Sequence, residues 1–296
     1  MNMNKTEFYS GGLKMLSDLI IDFHTHIGRL FFSHRVFTAR KLLKRMDELG
    51  VSRAVVLPIE NPEETVFYVT TETVLRAAKR YPERLIPFCN VDPRRGDPET
   101  FDPYPIIEEY VSRGCVGFGE ELAGLKIDDY RLQRIYEAVG KLRLPIVMHL
   151  DAYRNVDEVG LPRFENMIKK YPKTIFVAHG PHWWAEISGN VKREDLSSYP
   201  KGPVTPGGKV DYLLKKYANL YADLSADSGF NALARDPKYA KEFLERNSGK
   251  LLFGTDLLYE SQEIKILKFL EDINLSTKAY ERILHRNAEK LISMNL

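Results

Sequence analysis

The feature that most constrains the fold is an alternation of short apolar runs with longer amphipathic segments. Each run is nearly continuous in Val, Ile, Leu and Phe, which is typical of parallel strands covered on both faces. The segments between them repeat apolar residues at three- and four-residue steps, as amphipathic helices do. The eight runs are LIIDFHTHI, RAVVLPIE, RLIPFCNVDP, CVGFGEEL, PIVMHL, TIFVAHG, LYADLSA and KLLFGTD. Eight strands alternating with helices predict an α/β fold, a parallel (β/α)8 TIM barrel.

One long insertion interrupts this pattern. Residues 181–206 follow the sixth strand, carry Pro, Gly, Ser and both tryptophans, and are expected to form an inserted loop. A loop of this length in a compact domain is more often functional than idle. The chain has 296 residues, and barrels of this class often run to about 250 residues or more as one domain. Without repeats, low-complexity tracts or linkers, we expect one domain over residues 1–296.

Composition excludes several classes of partner. The formal net charge is +2 and the charges are interspersed, so we expect neither a nucleic-acid nor a membrane partner. No stretch approaches the ~18–20 apolar residues of a membrane span. Cys89 and Cys115 lie in apolar runs and are expected to be buried free thiols in a reducing compartment. The N-terminal residues lack a signal-peptide pattern, and we expect a cytoplasmic protein.

Polar side chains collect where the apolar runs end. In a barrel of this kind, catalytic residues project from the carboxyl ends of the strands. The acids and histidines at these ends are His24, His26, Glu120, Glu121, His149, His179, Asp223, Asp227 and Asp256. This placement predicts a functional site at one end of the barrel.

The spacing of the first two histidines suits a metal site. Side chains alternate along a strand, so His24 and His26 are expected to point the same way while Thr25 points opposite. Both imidazoles can then bind one ion from the barrel mouth. Imidazole together with carboxylate suits zinc and related first-row metals, and a catalytic site leaves a coordination position for water.

Seven motifs, taken in order along the chain, resemble those of the metal-dependent amidohydrolase superfamily. They are DFHTHIG, FCNVDP, VMHL, VAHG, LYADLSA, LLFGTD and ERILHRNAEKLI. The resemblance covers nearly the whole chain. It is to the amidohydrolase 2 branch, which includes hydrolases and decarboxylases of the aminocarboxymuconate-semialdehyde type.

The resemblance implies roles for individual residues. His24 and His26 would bind the more buried metal, with Asp256 as an additional ligand or proton shuttle. His149 matches the strand-five histidine and would be a further ligand. His179 would bind a second ion or, with a single ion, act as general acid/base beside the metal-bound water.

The fourth strand departs from the commonest family pattern. Many relatives bridge two metals there with a carbamylated lysine, whereas Lys126 lies beyond the end of this strand. Glu120 instead resembles the bridging glutamate of TatD-like nucleases. Glu121 is adjacent and would face the opposite way, so we favour Glu120 as the ligand. The number of ions, one or two, stays open, and a nuclease is disfavoured because no basic cluster surrounds the ligand segments.

Three further residues are candidates for substrate binding. His182 is three residues after His179 and could reach the substrate from the insertion. Trp183, with Trp184, could form an apolar lid or a subunit contact. Arg94 follows strand three and could hold a carboxylate bidentately, although a solvated loop arginine is the plainer interpretation.

The remaining polar residues receive structural interpretations. Asp223 and Asp227 are expected to cap the helix that follows strand seven. His34 and His285 are not expected to be functional; His34 follows the first strand and His285 lies in the last helix.

The function predicted from these residues is that of a metal-dependent hydrolase. It would activate a metal-bound water, with zinc the expected metal, against a C–N or C–O bond of a small organic substrate, using Asp256 and His179 for proton transfer. The first alternative is non-oxidative decarboxylation of an aromatic or muconate-like acid. The second is a metal-binding or regulatory barrel without turnover. A homodimer is possible, and the substrate is not identified.

Overall fold

The structure is a computed structural model that describes residues 19–30, 35–64 and 67–295. Each of the eight predicted apolar runs contains a strand. Three further short strands form a small antiparallel sheet that the apolar pattern did not predict. In chain order the strands are β1 (Ile21–Thr25), β2 (Gly28–Leu30), β3 (Arg35–Phe37), β4 (Arg53–Val56), β5 (Phe67–Tyr68), β6 (Leu85–Pro87), β7 (Phe118–Glu121), β8 (Pro145–His149), β9 (Ile175–His179), β10 (Leu220–Asp223) and β11 (Leu251–Leu252).

The parallel strands are arranged in chain order. They form one sheet of β1-β4-β6 and a second of β7-β8-β9-β10-β11. Backbone contacts join the two sheets at both edges, where the Cys89 N–H donates to Gly117 O at 3.0 Å and the Phe23 N–H donates to Phe253 O at 2.8 Å. Isolated bridges, rather than continuous ladders, therefore link the sheets of the barrel.

Helices follow the strands and carry the amphipathic patterns. The first begins where the Thr38 side chain accepts from the Lys41 N–H, and it ends at Gly50, whose φ of 69° suits glycine. Among the described residues, none of the helices is long and apolar enough to cross a membrane. The helices are α1 (Ala39–Leu49), α2 (Thr71–Arg80), α3 (Tyr104–Ser112), α4 (Tyr130–Lys141), α5 (Pro162–Lys170), α6 (Pro181–Ala185), α7 (Lys209–Lys216), α8 (Ala226–Ala234), α9 (Pro237–Asn247), α10 (Lys265–Asp272), α11 (Thr277–Glu281) and α12 (Asn287–Ile292), with a π-helical turn at Arg282–Arg286 and 3₁₀ turns at Arg193–Asp195, Ser248–Lys250 and Ser293–Asn295.

Apolar side chains form two clusters on either side of the strands. The larger packs the outer strand faces against the helices, and it includes Cys89 and Cys115, which are free and buried as predicted. The smaller fills the barrel interior, with Phe23 and Phe88 in edge-to-face contact at 5.6 Å. Its residues on the strands or directly after them are Ile21, Phe23, Val55, Leu57, Ile86, Phe88, Val147, Val177, Tyr221 and Leu252.

Two strands change register just before their polar residues. Ile21 and Phe23 pack in the interior cluster, so strict alternation would send Thr25 inward rather than His24. The pairing of β1 with β4 is irregular between Asp22 and Thr25, and Thr25 Oγ1 donates instead to Val55 O at 2.6 Å. A similar irregularity occurs in β7 between residues 118 and 121. Such irregularities re-aim side chains next to functional sites.

Candidate metal centre

Four of the predicted residues meet at the carboxyl ends of strands from both sheets. His24 Nε2 and His26 Nε2 lie 3.1 Å apart. Glu120 Oε2 lies 3.5 Å from His24 Nε2 and 3.4 Å from His26 Nε2. Asp256 Oδ1 lies 3.6 and 3.3 Å from the same two nitrogens. The structure therefore places a compact group of imidazole nitrogens and carboxylate oxygens where the sequence predicted a site.

The other two predicted histidines contact the second oxygen of the same glutamate. His149 Nδ1 lies 2.9 Å from Glu120 Oε1, and His179 Nε2 lies 3.7 Å from that atom. His149 Nε2 is also 3.2 Å from Asp151 Oδ2, so this imidazole has a carboxylate on each side. We refer to His24, His26, Glu120, His149, His179 and Asp256 together as the candidate centre.

The geometry of the candidate centre fits a metal ion. Two sets of three ligand atoms lie within 4.8 Å of one another, His24 with Glu120 and His179, and His24 with His26 and Asp256. Both sets combine imidazole with carboxylate, the donors that zinc and related first-row metals bind. The sets share His24, which is compatible with one ion or with two.

Asp223 contacts two histidines of the candidate centre, which the sequence interpretation did not predict. Its Oδ1 accepts from the Ser225 N–H at 2.8 Å, beside the start of α8, so part of the expected turn role is present. Its Oδ2, however, lies 2.5 Å from His24 Nδ1 and 3.5 Å from His179 Nδ1. The available signal was its position at a strand end, the criterion that selected His149. Asp227 lies in the first turn of α8, after the N-cap residue Ser225, and so is not itself the cap that was expected.

The charges of the candidate centre depend on one another. Burial alone would lower the pKa of His24, but the carboxylates of Asp223 and Glu120 outweigh it and raise that pKa well above its usual value. Burial would likewise raise the pKa of Glu120, but His24, His149 and His26 hold it well below the usual range. The imidazoles and the carboxylates therefore stabilise each other's charged forms. A divalent cation would balance the same carboxylate charge.

His179 differs from its neighbours in charge. Burial and the nearby His24 both lower its pKa, to about 4, so its imidazole is neutral near pH 7. Ser225 Oγ lies 3.0 Å from its Nδ1. A neutral imidazole can bind a metal or accept a proton.

Solvent reaches the candidate centre at two of its members. The side chains of Asp256 and His149 are 20% and 18% exposed, whereas those of His24 and His26 are 0% exposed. A cleft of about 380 Å³ borders Asp256. Its walls include Tyr199 from the inserted segment, and also Phe230, Tyr259 and Lys265. Asp256 therefore contacts both the candidate centre and the space in which a small molecule could bind.

Asp256 has a backbone conformation uncommon for a residue with a side chain. Its φ is 55°, in the left-handed region. Its N–H donates to His24 O at 2.8 Å and its carbonyl accepts from Gln262 Nε2 at 2.7 Å. These bonds hold the conformation, which is of the kind that clusters at functional sites.

Arg94 is bound by two carboxylates of its own chain. Its guanidinium pairs in a bidentate manner with Glu63 and lies 2.6 Å from Asp92 Oδ2. These acids raise its pKa above the ordinary arginine value. A carboxylate substrate would therefore have to compete with Glu63 and Asp92 for this cation.

The tryptophans of the insertion do not form a lid. Trp183 and Trp184 are 0% and 2% exposed, and they pack edge-on against Phe164 and Phe243 in the outer core. The expectation of a lid or subunit contact is wrong because α6 turns both rings towards the helices. Trp183 is thus enclosed in the core and does not line the cleft beside Asp256.

His182 is also inside the protein. It is fully buried on α6, and among the described residues neither ring nitrogen has a hydrogen-bond partner. Its Nε2 lies 3.6 Å from Glu186 Oε1. Like Trp183, His182 does not border the cleft beside Asp256.

The other two histidines were not expected to be functional. His285 lies in the π-helical turn, where its Nδ1 is 3.0 Å from Glu289 Oε2. His34 lies outside the described residues.

Comparisons with known proteins agree with this architecture. A family model described as amidohydrolase matches residues 21–293. No curated protein sequence matches the chain. An uncharacterized TIM-barrel protein from Bordetella bronchiseptica has a TM-score of 0.67 at 16% identity, covering 93% of this chain and 98% of that one. The predicted barrel is therefore confirmed.

Two other solved structures differ in the reactions that they are named for. A probable 2-pyrone-4,6-dicarboxylic acid hydrolase from Acinetobacter baumannii has a TM-score of 0.61 at 16% identity, covering 93% of this chain and 99% of that one. A 5-carboxyvanillate decarboxylase from Novosphingobium aromaticivorans, complexed with manganese, has a TM-score of 0.58 at 14% identity, covering 93% and 96%. At such identities the likeness shows the fold and leaves the reaction open.

Proposed function

The chain belongs to the amidohydrolase family, as its motifs predicted, and we propose that it is a metal-dependent hydrolase that cleaves a C–N or C–O bond of a small organic molecule. The observation that carries this proposal is the position of Asp256. Its carboxylate lies 3.3 Å from His26 Nε2 and also borders the cleft. A group in this place can exchange protons with a substrate beside the metal.

The candidate centre supplies the ligands. His24, His26 and Asp256 would hold the first ion, with His149, which contacts Glu120, as a further ligand. Glu120 and His179 would recruit a second ion if two are bound. Zinc is the ion that we expect. When bound, such an ion lowers the pKa of water from 15.7 to about 7 and polarises a carbonyl group.

Asp256 would then transfer the proton. Its carboxylate accepts a proton from the attacking water while the oxygen bonds to the substrate carbon. It returns this proton to the leaving nitrogen or oxygen when the C–N or C–O bond breaks. With a single ion, His179 is not needed as a ligand, and its imidazole could share this proton transfer.

The first experiment compares the wild-type protein with Asp256→Asn. Each is screened against lactones, amides and aromatic acids, and its metal content is measured by mass spectrometry. We expect hydrolysis by the wild-type protein. The variant should keep its metal but lose about 10²–10⁴-fold in kcat, the range for a general acid/base.

The matched control is Asp157→Asn, which alters another buried aspartate. Asp157 accepts backbone N–H groups at the start of α5, including that of Phe164 at 2.8 Å. We expect this variant to keep both metal and activity. Full activity in Asp256→Asn, or a wild-type protein without metal, would contradict the proposal.

A decarboxylase is the second candidate, because a structural neighbour is named for that reaction. It would need a cation for the substrate carboxylate, and Arg94 is already paired with Glu63 and Asp92. Hydrolysis is therefore the first choice. Carbon dioxide released from an aromatic acid in the same screen would favour the decarboxylase. A barrel without turnover is disfavoured because the proton-transfer residue lies at the cleft with the metal ligands.

A further inference from the structure

We propose that Asp223 is a positioning residue that holds His24 and His179 through their Nδ1 atoms and leaves the Nε2 atom of each for the metal. The proposal rests on the metal-dependent function proposed above. It assigns Asp223 a role through the two histidines, without contact with substrate.

The contacts of Asp223 reach both imidazoles. Oδ2 lies 2.5 Å from His24 Nδ1, and all atoms of both side chains are buried. The same oxygen lies 3.5 Å from His179 Nδ1. Ser225 supports the second imidazole, because its Oγ lies 3.0 Å from His179 Nδ1. One carboxylate therefore connects β1 with β9 across the mouth of the barrel.

The backbone around Asp223 holds this carboxylate in place. It ends β10, which pairs with β9 on one side and β11 on the other. Its carbonyl accepts from Trp184 Nε1 at 3.0 Å, and its Oδ1 accepts from the Ser225 N–H. Gly254 borders it closely, since a methyl group there would come within 2.6 Å of Oδ1. The carboxylate has little freedom to leave the histidines.

These contacts decide which ring nitrogen faces the metal. An imidazole that donates its Nδ1 proton to a carboxylate has its lone pair on Nε2 and becomes a stronger ligand. His24 Nε2 is the atom that faces Glu120 and Asp256. His26 differs, because its Nδ1 lies 3.0 Å from a backbone carbonyl, Leu57 O. We infer that metal binding by His24 depends more on a charged partner than metal binding by His26 does.

The first test measures metal binding instead of activity. Chelator-stripped wild-type protein, Asp223→Asn and the control Asp157→Asn compete for zinc with a chromogenic chelator. We expect the zinc dissociation constant of Asp223→Asn to rise by about 10–100-fold, the usual cost of losing such a partner. Asp157→Asn should stay within about twofold of wild type. Circular dichroism verifies that each variant is folded.

Two outcomes separate this proposal from the proposed function. Zinc binding by wild type with an unchanged dissociation constant in folded Asp223→Asn overturns the role of Asp223 alone. A wild-type protein that binds no divalent metal overturns the proposed function, and the role of Asp223 with it.

The second test needs no Asp223 variant and applies even if that variant does not fold. NMR of zinc-loaded wild-type protein labelled with ¹⁵N in histidine reports which ring nitrogen carries the proton. We expect His24 and His179 both to carry it on Nδ1. Ser225→Ala should shift the Nδ1 signal of His179 and leave that of His24 in place. A proton on Nε2 of His24 overturns the proposal.

Discussion

At the scale of the residue, neighbouring carboxyl groups of this chain have opposite environments. Glu120 lies among imidazoles, which hold its pKa well below the usual range. Glu121 is equally buried, but it accepts from the Ala123 N–H at 2.7 Å and one of its oxygens has no partner in the described structure. Burial raises its pKa to about 8. Adjacent residues of one type therefore differ in charge because the strand directs them to different surroundings.

The contact between His24 and Asp223 depends on a glycine. A Cβ atom at Gly254 would lie 2.6 Å from Asp223 Oδ1 and 3.1 Å from His24 Cβ, so at least one of these residues would have to move. We expect Gly254→Ala to lower the free energy of unfolding by about 1–3 kcal/mol, the usual cost of overpacking. It should also weaken zinc binding.

Denaturant unfolding and chelator competition measure the two effects of Gly254→Ala. The control is Gly249→Ala, because a Cβ atom there would meet nothing within 4 Å. If Gly254→Ala left both stability and zinc affinity unchanged, the contact between His24 and Asp223 would not depend on this glycine.

At the scale of the element, a single glutamate connects two outer helices. Glu165 on α5 accepts from Lys209 Nζ at 2.7 Å and from Lys216 Nζ at 2.9 Å, both on α7. The Tyr217 hydroxyl also donates to it at 2.9 Å. Partial burial would raise the pKa of Glu165, but these donors outweigh it and lower the pKa to about 2.

This lowered pKa predicts a pH dependence of stability. The pKa of Glu165 is lower in the folded than in the unfolded chain, so its contribution is complete above pH 4.5 and is lost as the pH falls towards about 2. We expect Glu165→Gln to be less stable than wild type from pH 5 to 8, with the difference vanishing as the pH falls from 4.5 to 2.

Urea unfolding across this range measures the effect of Glu165→Gln. The exposed Glu137→Gln is the control, since Glu137 pairs with Lys141 at 2.8 Å and such surface pairs contribute little. A difference between wild type and Glu165→Gln that does not change with pH would contradict this account.

At the scale of the whole molecule, the candidate centre draws its residues from both parallel sheets. His24 and His26 come from the sheet that contains β1, whereas Glu120, His149 and His179 come from the sheet of β7 to β11. An ion bound by these residues would link two sheets that isolated backbone bridges join. Metal binding should therefore stabilise the fold as a whole.

We expect chelation to lower the melting temperature, and zinc or manganese to restore it. A ligand at 100 times its dissociation constant adds about 2.7 kcal/mol, which corresponds to several degrees for a protein of this size. Differential scanning calorimetry measures the shift. Calcium is the control ion, because it prefers oxygen ligands over imidazole. Equal melting temperatures with and without zinc would contradict a metal centre of this composition.

The sequence alone indicated the order of the eight parallel strands and all six residues of the candidate centre. Continuous apolar runs, helical periodicity and polar residues at strand ends are local patterns, so they can be identified without tertiary contacts. The small sheet of β2, β3 and β5 was not identified, because its strands are two or three residues long and pair across distant segments. The roles assigned to the centre stay predictions until the variants are measured.

The tertiary structure alone decided what the other polar and aromatic residues contact. Asp223 resembles a helix cap in sequence, and only the approach of β1 and β9 brings it to His24 and His179. From the sequence, Trp183 is a candidate lid residue, but α6 packs it into the core. The register change in β1 directs both histidines to the candidate centre although Phe23 already faces the interior. These outcomes depend on strand register and on contacts between distant segments, which the local pattern does not encode.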